Sequence, residues 1–208
     1  MTRAALSDLL AGQSLRIAGV VEREGETLVL VGPDNRTFWS MLMDAQEGQD
    51  GAADPIDRWS RRVLTALGET VGAEAIFPFG GPPWHPFIGW ALDSGEITQS
   101  PIGLLVSDET GLWVSFRGAF RFEGARGWTR HGTPPCPTCA APCTTACPVD
   151  AFADGQYDVA ACRAHVNAPE GIACREGGCL ARHACPVGRS FAPPPDQATH
   201  HMAAFRGE

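Results

Sequence analysis

A chain of 208 residues, 44% hydrophobic and 19% charged, has enough apolar material for one medium domain or two small ones and too much for a disordered polymer. Its net charge of -8 argues against nucleic acid, whose phosphates need a basic face, and suits docking to a basic protein partner. All 16 basic residues are Arg, a compositional habit that carries no functional weight.

The first 20 residues hold no long apolar run, no small-residue cleavage site and no twin arginine. The expectation is a short amphipathic helix over 4–11, no membrane span anywhere and a cytoplasmic protein. Residues 14–22 (SLRIAGVVE) and 26–32 (ETLVLVG) read as strands around the turn REGE. Next come a loop and a helix in which Phe38, Leu42 and Ala45 share a face. Residues 54–73 carry the strongest helix pattern, with Asp54 as N-cap, Pro55 at the first helical position, and Ile56, Trp59, Val63, Leu67 and Val71 at helical spacing. A strand over 74–79, the loop GGPPWHPF and a short helix over 89–96 follow. Residues 102–123 read as a β-hairpin turning at DETG.

Elements of both kinds interleave, which predicts an α+β fold with a mixed α/β N-terminal domain over 1–130. Trp59, Trp90 and Trp113 sit on apolar faces and belong in a core, and His85 reads as a capping or surface residue. Arg117 interrupts an otherwise apolar or small strand and requires a carboxylate partner or a bound anion. No G-x-G-x-x-G or G-K-[ST] pattern marks a nucleotide site.

All eight cysteines fall between positions 136 and 185. They run Cys136-x2-Cys139-x3-Cys143-x3-Cys147-Pro148, then Cys162, Cys174, Cys179 and Cys185-Pro186. A reducing compartment disfavours disulfides and favours metal. Three thiolates on a tight loop grip three corners of an iron–sulfur cube, and a fourth must come from elsewhere in the chain. Two structural zinc sites also use eight thiolates, although zinc loops favour paired C-x2-C knuckles and this chain has one. His131, His165 and His183 lie near the cysteines and read as supporting or surface residues.

The stretches CPTCAAPCTTACPVDAF, YDVAACRAHV and CREGGCLARHACP together resemble the iron–sulfur domain of epoxyqueuosine reductases, cobalamin-dependent relatives of the reductive dehalogenases. The resemblance covers roughly residues 100–190, with one residue inserted before Cys143 and longer gaps around Cys179. It implies a bacterial-type two-cluster ferredoxin domain over 131–190. Residues 191–208 read by themselves as a tail, an extended Pro segment and a last helical turn packed on the N-terminal domain. The resemblance also implies two 4Fe–4S clusters. Cys136, Cys139, Cys143 and Cys185 would hold one, and Cys147, Cys162, Cys174 and Cys179 the other. The upstream region is shorter than the family's, so the domain ahead of the clusters would be a trimmed cobalamin- or nitroreductase-like one.

Three functions follow as expectations. The first is single-electron transfer with a basic redox protein partner. The second is a shortened corrinoid- or flavin-dependent reductase or cobalamin-handling protein, with Phe79, Gly80, Gly81, Trp84, Arg117 and Gly118 lining the cofactor site. The third is a structural or redox-sensing role for the clusters.

Overall fold

The computed structural model describes residues 1–207, which divide into two compact units. The first takes residues 1–97 and 114–132, and the second takes 98–113 and the chain from 133 onward. In chain order the elements are α1 (Arg3–Ala11), β1 (Leu15–Arg23), β2 (Glu26–Pro33), α2 (Phe38–Asp44), α3 (Gln46–Gln49), α4 (Pro55–Val71), β3 (Glu74–Ile76) and α5 (Phe87–Asp93). Then follow β4 (Ile97–Gln99), β5 (Leu105–Ser107), β6 (Gly118–Glu123), α6 (Val159–Asn167), α7 (Ile172–Gly177), α8 (Leu180–His183) and α9 (Pro195–Arg206).

The first unit is built on an antiparallel sheet in the order β1-β2-β6-β3, so the class is α+β. β1 and β2 form the expected hairpin, and their register slips between Ile17 and Gly19. Val29 and Val31 of β2 and Phe120 and Phe122 of β6 face one core with Leu6, Leu10, Phe38, Leu42, Trp59 and Leu64. Alternation along β2 turns Leu28 and Leu30 to the other face, and both are fully buried. A Cβ added at Gly19 would lie 2.8 Å from the Ser94 hydroxyl, so glycine there lets the end of α5 close on β1.

α4 forms because Ile56, Trp59, Val63 and Leu64 recur on one side and pack into this core, each worth about 1.5–3 kcal/mol of burial. Leu67 and Val71 reach only its edge. Gly72, at φ 69°, ends the helix in the left-handed region. The expected cap at the other end is not made. Asp54 occupies the N-cap position at φ 53° and ψ 48°, and its side chain bonds no helix N–H.

Four further expectations are corrected. The hairpin over 102–123 does not form: β5 pairs with β4, a single bridge joins Ser107 to Gly111, and β6 pairs with β2 and β3. Ala119, Phe120 and Phe122 are fully buried, a state that a central position in the sheet supplies and an isolated two-stranded hairpin does not. The strand over 74–79 pairs only as far as Ile76, where Phe77 and Phe79 turn to face each other at 5.2 Å. The helix expected over 89–96 starts earlier, at Phe87. The C-terminal segment forms the 12-residue helix α9, which packs on α6 and α7 of the second unit. No helix among the described residues is long and apolar enough to cross a membrane.

Candidate metal centre

The second unit has little regular structure, and its thiols sit where short elements begin and end. Cys136 and Cys139 share a turn closed by the Cys139 amide on the Cys136 carbonyl at 3.0 Å. Cys143 lies in a single 3-10 turn, Pro142–Thr144. Cys162 is within α6, Cys174 within α7, Cys179 at the N-cap of α8, and Cys185 just beyond α8. All eight are free thiols.

Four of these residues share a cavity, and the other four are connected only as electrostatic neighbours. Cys136, Cys139, Cys143 and Cys185 line one small cavity walled by Pro101, Val106, Leu112 and Pro142. Burial pushes the Cys136 and Cys143 thiols above their ordinary values, and the other thiols of that cavity push them further. Burial likewise raises Cys162 and Cys174, but there the neighbouring thiols are Cys147 and Cys179 together with each other where they meet. The electrostatic neighbours of each raised thiol belong to its own set of four.

Cys143 and Cys185 also belong to an apolar core with Ile102, Val106, Leu112, Phe152 and Ala181. Backbone amides point at sulfur in each set: Ala141 donates to Cys139 Sγ at 3.4 Å and Ala151 to Cys147 Sγ at 3.3 Å. Two glycines bring the Cys185 end of the chain close. A Cβ on Gly111, at φ 55°, would meet the Val187 carbonyl oxygen at 2.1 Å and Cys185 Sγ at 3.1 Å. One on Gly188, at φ 69°, would meet the Thr110 carbonyl carbon at 2.1 Å. Only bare backbone fits at this crossing.

Among the described residues, no three His, Cys, Asp or Glu side chains are gathered so as to hold a single metal ion. The first set of thiols stands around a cavity instead. Soft thiolate donors, amides aimed at sulfur and an apolar wall are the donor chemistry that an iron–sulfur cube needs.

Reading the sequence alone missed two residues beside the thiols. The Tyr157 hydroxyl bonds Cys162, and its ring stacks on Phe152 at 4.8 Å. Arg182 lies over the Trp113 ring, 5.9 Å from its centroid, and burial lowers its pKa. Arg182 stands between two cysteines in CLARHAC, a signal visible in the sequence only as a cation inside a ligand loop. His183 packs edge-on to Trp113 at 4.9 Å and its Nε2 meets the Gly177 carbonyl at 2.8 Å. His165 is half-buried on α6, and His131 is exposed in the first unit.

Phe79, Gly80, Gly81, Trp84, Arg117 and Gly118 are the residues expected to line a cofactor site in the first unit. Phe79 and Gly80 line an open groove of about 840 Å³ along the polar side of α4, with Asp57, Arg58, Arg61 and Arg62. Trp84 is 65% exposed, Gly81 sits beside it, and Gly118 is buried in β6, where a Cβ would strike Leu64 at 2.6 Å. His85 is exposed and stacks on Trp90 at 5.7 Å. The ion pair expected of Arg117 is not closed. Its Nη2 donates to Ser115 Oγ at 3.3 Å, its Nε has no partner, and Asp57 is its opposing charge at longer range. Burial lowers the Arg117 pKa and raises that of Asp57.

Comparison of the chain with known protein families, with curated proteins and with solved structures returned no match.

Proposed function

We propose that the protein is an electron carrier holding two 4Fe–4S clusters in its second unit. Cys136, Cys139, Cys143 and Cys185 would bind one cluster, and Cys147, Cys162, Cys174 and Cys179 the other. The observation that carries this reading is the cavity shared by Cys136, Cys139, Cys143 and Cys185, with four further free thiols that could make a second set. With one C-x2-C pair among eight cysteines, the spacing suits two cubes better than two zinc knuckles. A cluster of this kind supplies single-electron chemistry when bound. The residues of the chain set its potential through thiolate ligation, amide bonds to sulfur and exclusion of water. The acidic surface suits a basic redox partner.

The test is anaerobic reconstitution with iron and sulfide, followed by metal analysis and EPR after reduction. The expected result is about eight irons and eight sulfides per chain, with signals from two reduced clusters. Uptake of zinc alone, or of no iron, overturns the reading. Titrating the same protein with cob(II)alamin examines the corrinoid alternative. A stoichiometric change in the cobalt spectrum would replace a carrier with a reductase.

A further inference from the structure

The surface of the second unit is uneven. Among the described residues it exposes four large apolar side chains, Val149, Tyr157, Val159 and Ile172. Each lies within five positions of Cys147, Cys162 or Cys174, and none lies that close to Cys136, Cys139, Cys143 or Cys185. Charge follows the same division. Residues 132–147 hold no acidic or basic residue, whereas 148–162 hold three Asp and no Arg. Of these acids, Asp150 and Asp158 are exposed.

Backbone bonds tie three of the apolar residues and both acids to two thiols. The Ala151 amide donates to Cys147 Sγ at 3.3 Å, and the Asp158 amide donates to the Ala151 carbonyl at 2.7 Å. The Cys162 amide in turn donates to the Asp158 carbonyl at 3.1 Å. Val149 and Asp150 precede the first of these junctions, and Tyr157 and Val159 flank the second. Stacking on Phe152 at 4.8 Å holds the Tyr157 ring in place. Cys147 and Cys162 are half-buried beside this patch, whereas Cys143 and Cys185 are buried. The next cation along the chain, Arg163, is turned to the Phe205 ring of α9, 5.2 Å from its centroid. Exposed apolar groups edged by polar ones mark a protein contact, and acid at the edge selects a basic partner.

We infer, resting on the two-cluster reading, that this patch is where a basic redox protein docks, and that electrons cross there through the cluster bound by Cys147 and Cys162. Val149, Tyr157 and Val159 form the covered centre of the contact, and Asp150 and Asp158 meet Lys or Arg side chains of the partner. One electron passes from the reduced cluster to the partner's oxidised centre, and no bond is made or broken. The cluster bound by the buried Cys143 and Cys185 is then the inner member of the relay.

The probe partner is cytochrome c, a basic haem protein, mixed anaerobically with the reconstituted, dithionite-reduced chain while stopped flow follows haem reduction. Asp150 has φ 50°, a conformation that Asn shares, so Asp150→Asn removes the charge alone. Asp158 stays in place because its side chain caps α6 by accepting from the Ala161 amide at 2.9 Å. At low salt Asp150→Asn should slow the second-order rate about threefold and Val159→Arg about tenfold, and high salt should bring wild type and the Asn variant together. Oxidation by ferricyanide, a small anion, should slow in neither variant. Unchanged rates with cytochrome c overturn the inference. So does equal slowing with ferricyanide, or by Glu69→Gln, which removes an exposed charge from the first unit.

Should a variant lose its iron, the wild type decides by carbodiimide cross-linking to cytochrome c, mapped by mass spectrometry. Links at Asp150 or Asp158 support the inference, and links confined to other acids end it. A wild-type chain that binds no iron fails the parent reading. Eight bound irons with unmoved rates fail this inference alone.

Discussion

The two units hold themselves together by different means. In the first, Leu64, Phe120 and Phe122 are fully buried between helices and a sheet, and no cysteine takes part. In the second, the helices are short, and the core that holds Ile102, Leu112 and Phe152 also contains Cys143 and Cys185. Thiols stand in this core, and none stands in the first unit's. One unit is therefore closed by the hydrophobic effect, and the proposed ligands of the other are part of its interior.

Removing iron by anaerobic chelation should break this comparison most visibly. Slow amide exchange should vanish from α6, α7 and α9 while β2 and β6 keep theirs, as read by hydrogen exchange. Equal loss in both units would show that they share one source of stability. The converse variant is Leu64→Ala, which opens a cavity under β6 and should cost the first unit about 2–5 kcal/mol in denaturant unfolding, with iron content unchanged.

Gly111→Ala should be costly in the second unit. The new methyl group would collide with the Val187 carbonyl in a left-handed backbone, for a loss of about 1–3 kcal/mol in the second unit. Fluorescence-monitored unfolding with iron bound measures it, and a neutral result would mean that the crossing of 110–111 with 187–188 is loose.

The smallest effect belongs to the Arg62–Glu47 pair at 2.5 Å, which holds the Glu47 carboxyl below its usual value. A depressed folded pKa adds stability that is complete above the ordinary Glu range and is lost as the pH falls through the folded value. The Arg62 side chain is 58% exposed, so Arg62→Ala should cost under about 1 kcal/mol at neutral pH and nothing in strong acid. A loss that persisted in acid would point to packing of the Arg62 stem.

What the sequence revealed followed the range of the forces involved. The Ile56, Trp59, Val63 spacing identified α4 because that pattern is local to one helix. The partner of β6 was hidden, since pairing with β2 depends on residues some 90 positions away and a nearby turn offered a false alternative. The cysteine run displayed three of the thiols that share a cavity, whereas the fourth, Cys185, was suggested only by family resemblance. The place of Arg182 over Trp113 could not be read from CLARHAC, because the two are far apart in the chain. Gly118 is next to Arg117 in the chain, yet its place is inside the sheet.

The chain crosses from one unit to the other at 97/98, 113/114 and 132/133. No single cut yields both halves intact: ending the protein near 130 would strip the second unit of 98–113, which carries Ile102, Val106 and Leu112 of its core and the Gly111 that admits Val187. A shuffled gene could not donate either half as a detachable cassette. Recombination that moved one would have to carry the other, so the two are inherited as an indivisible pair.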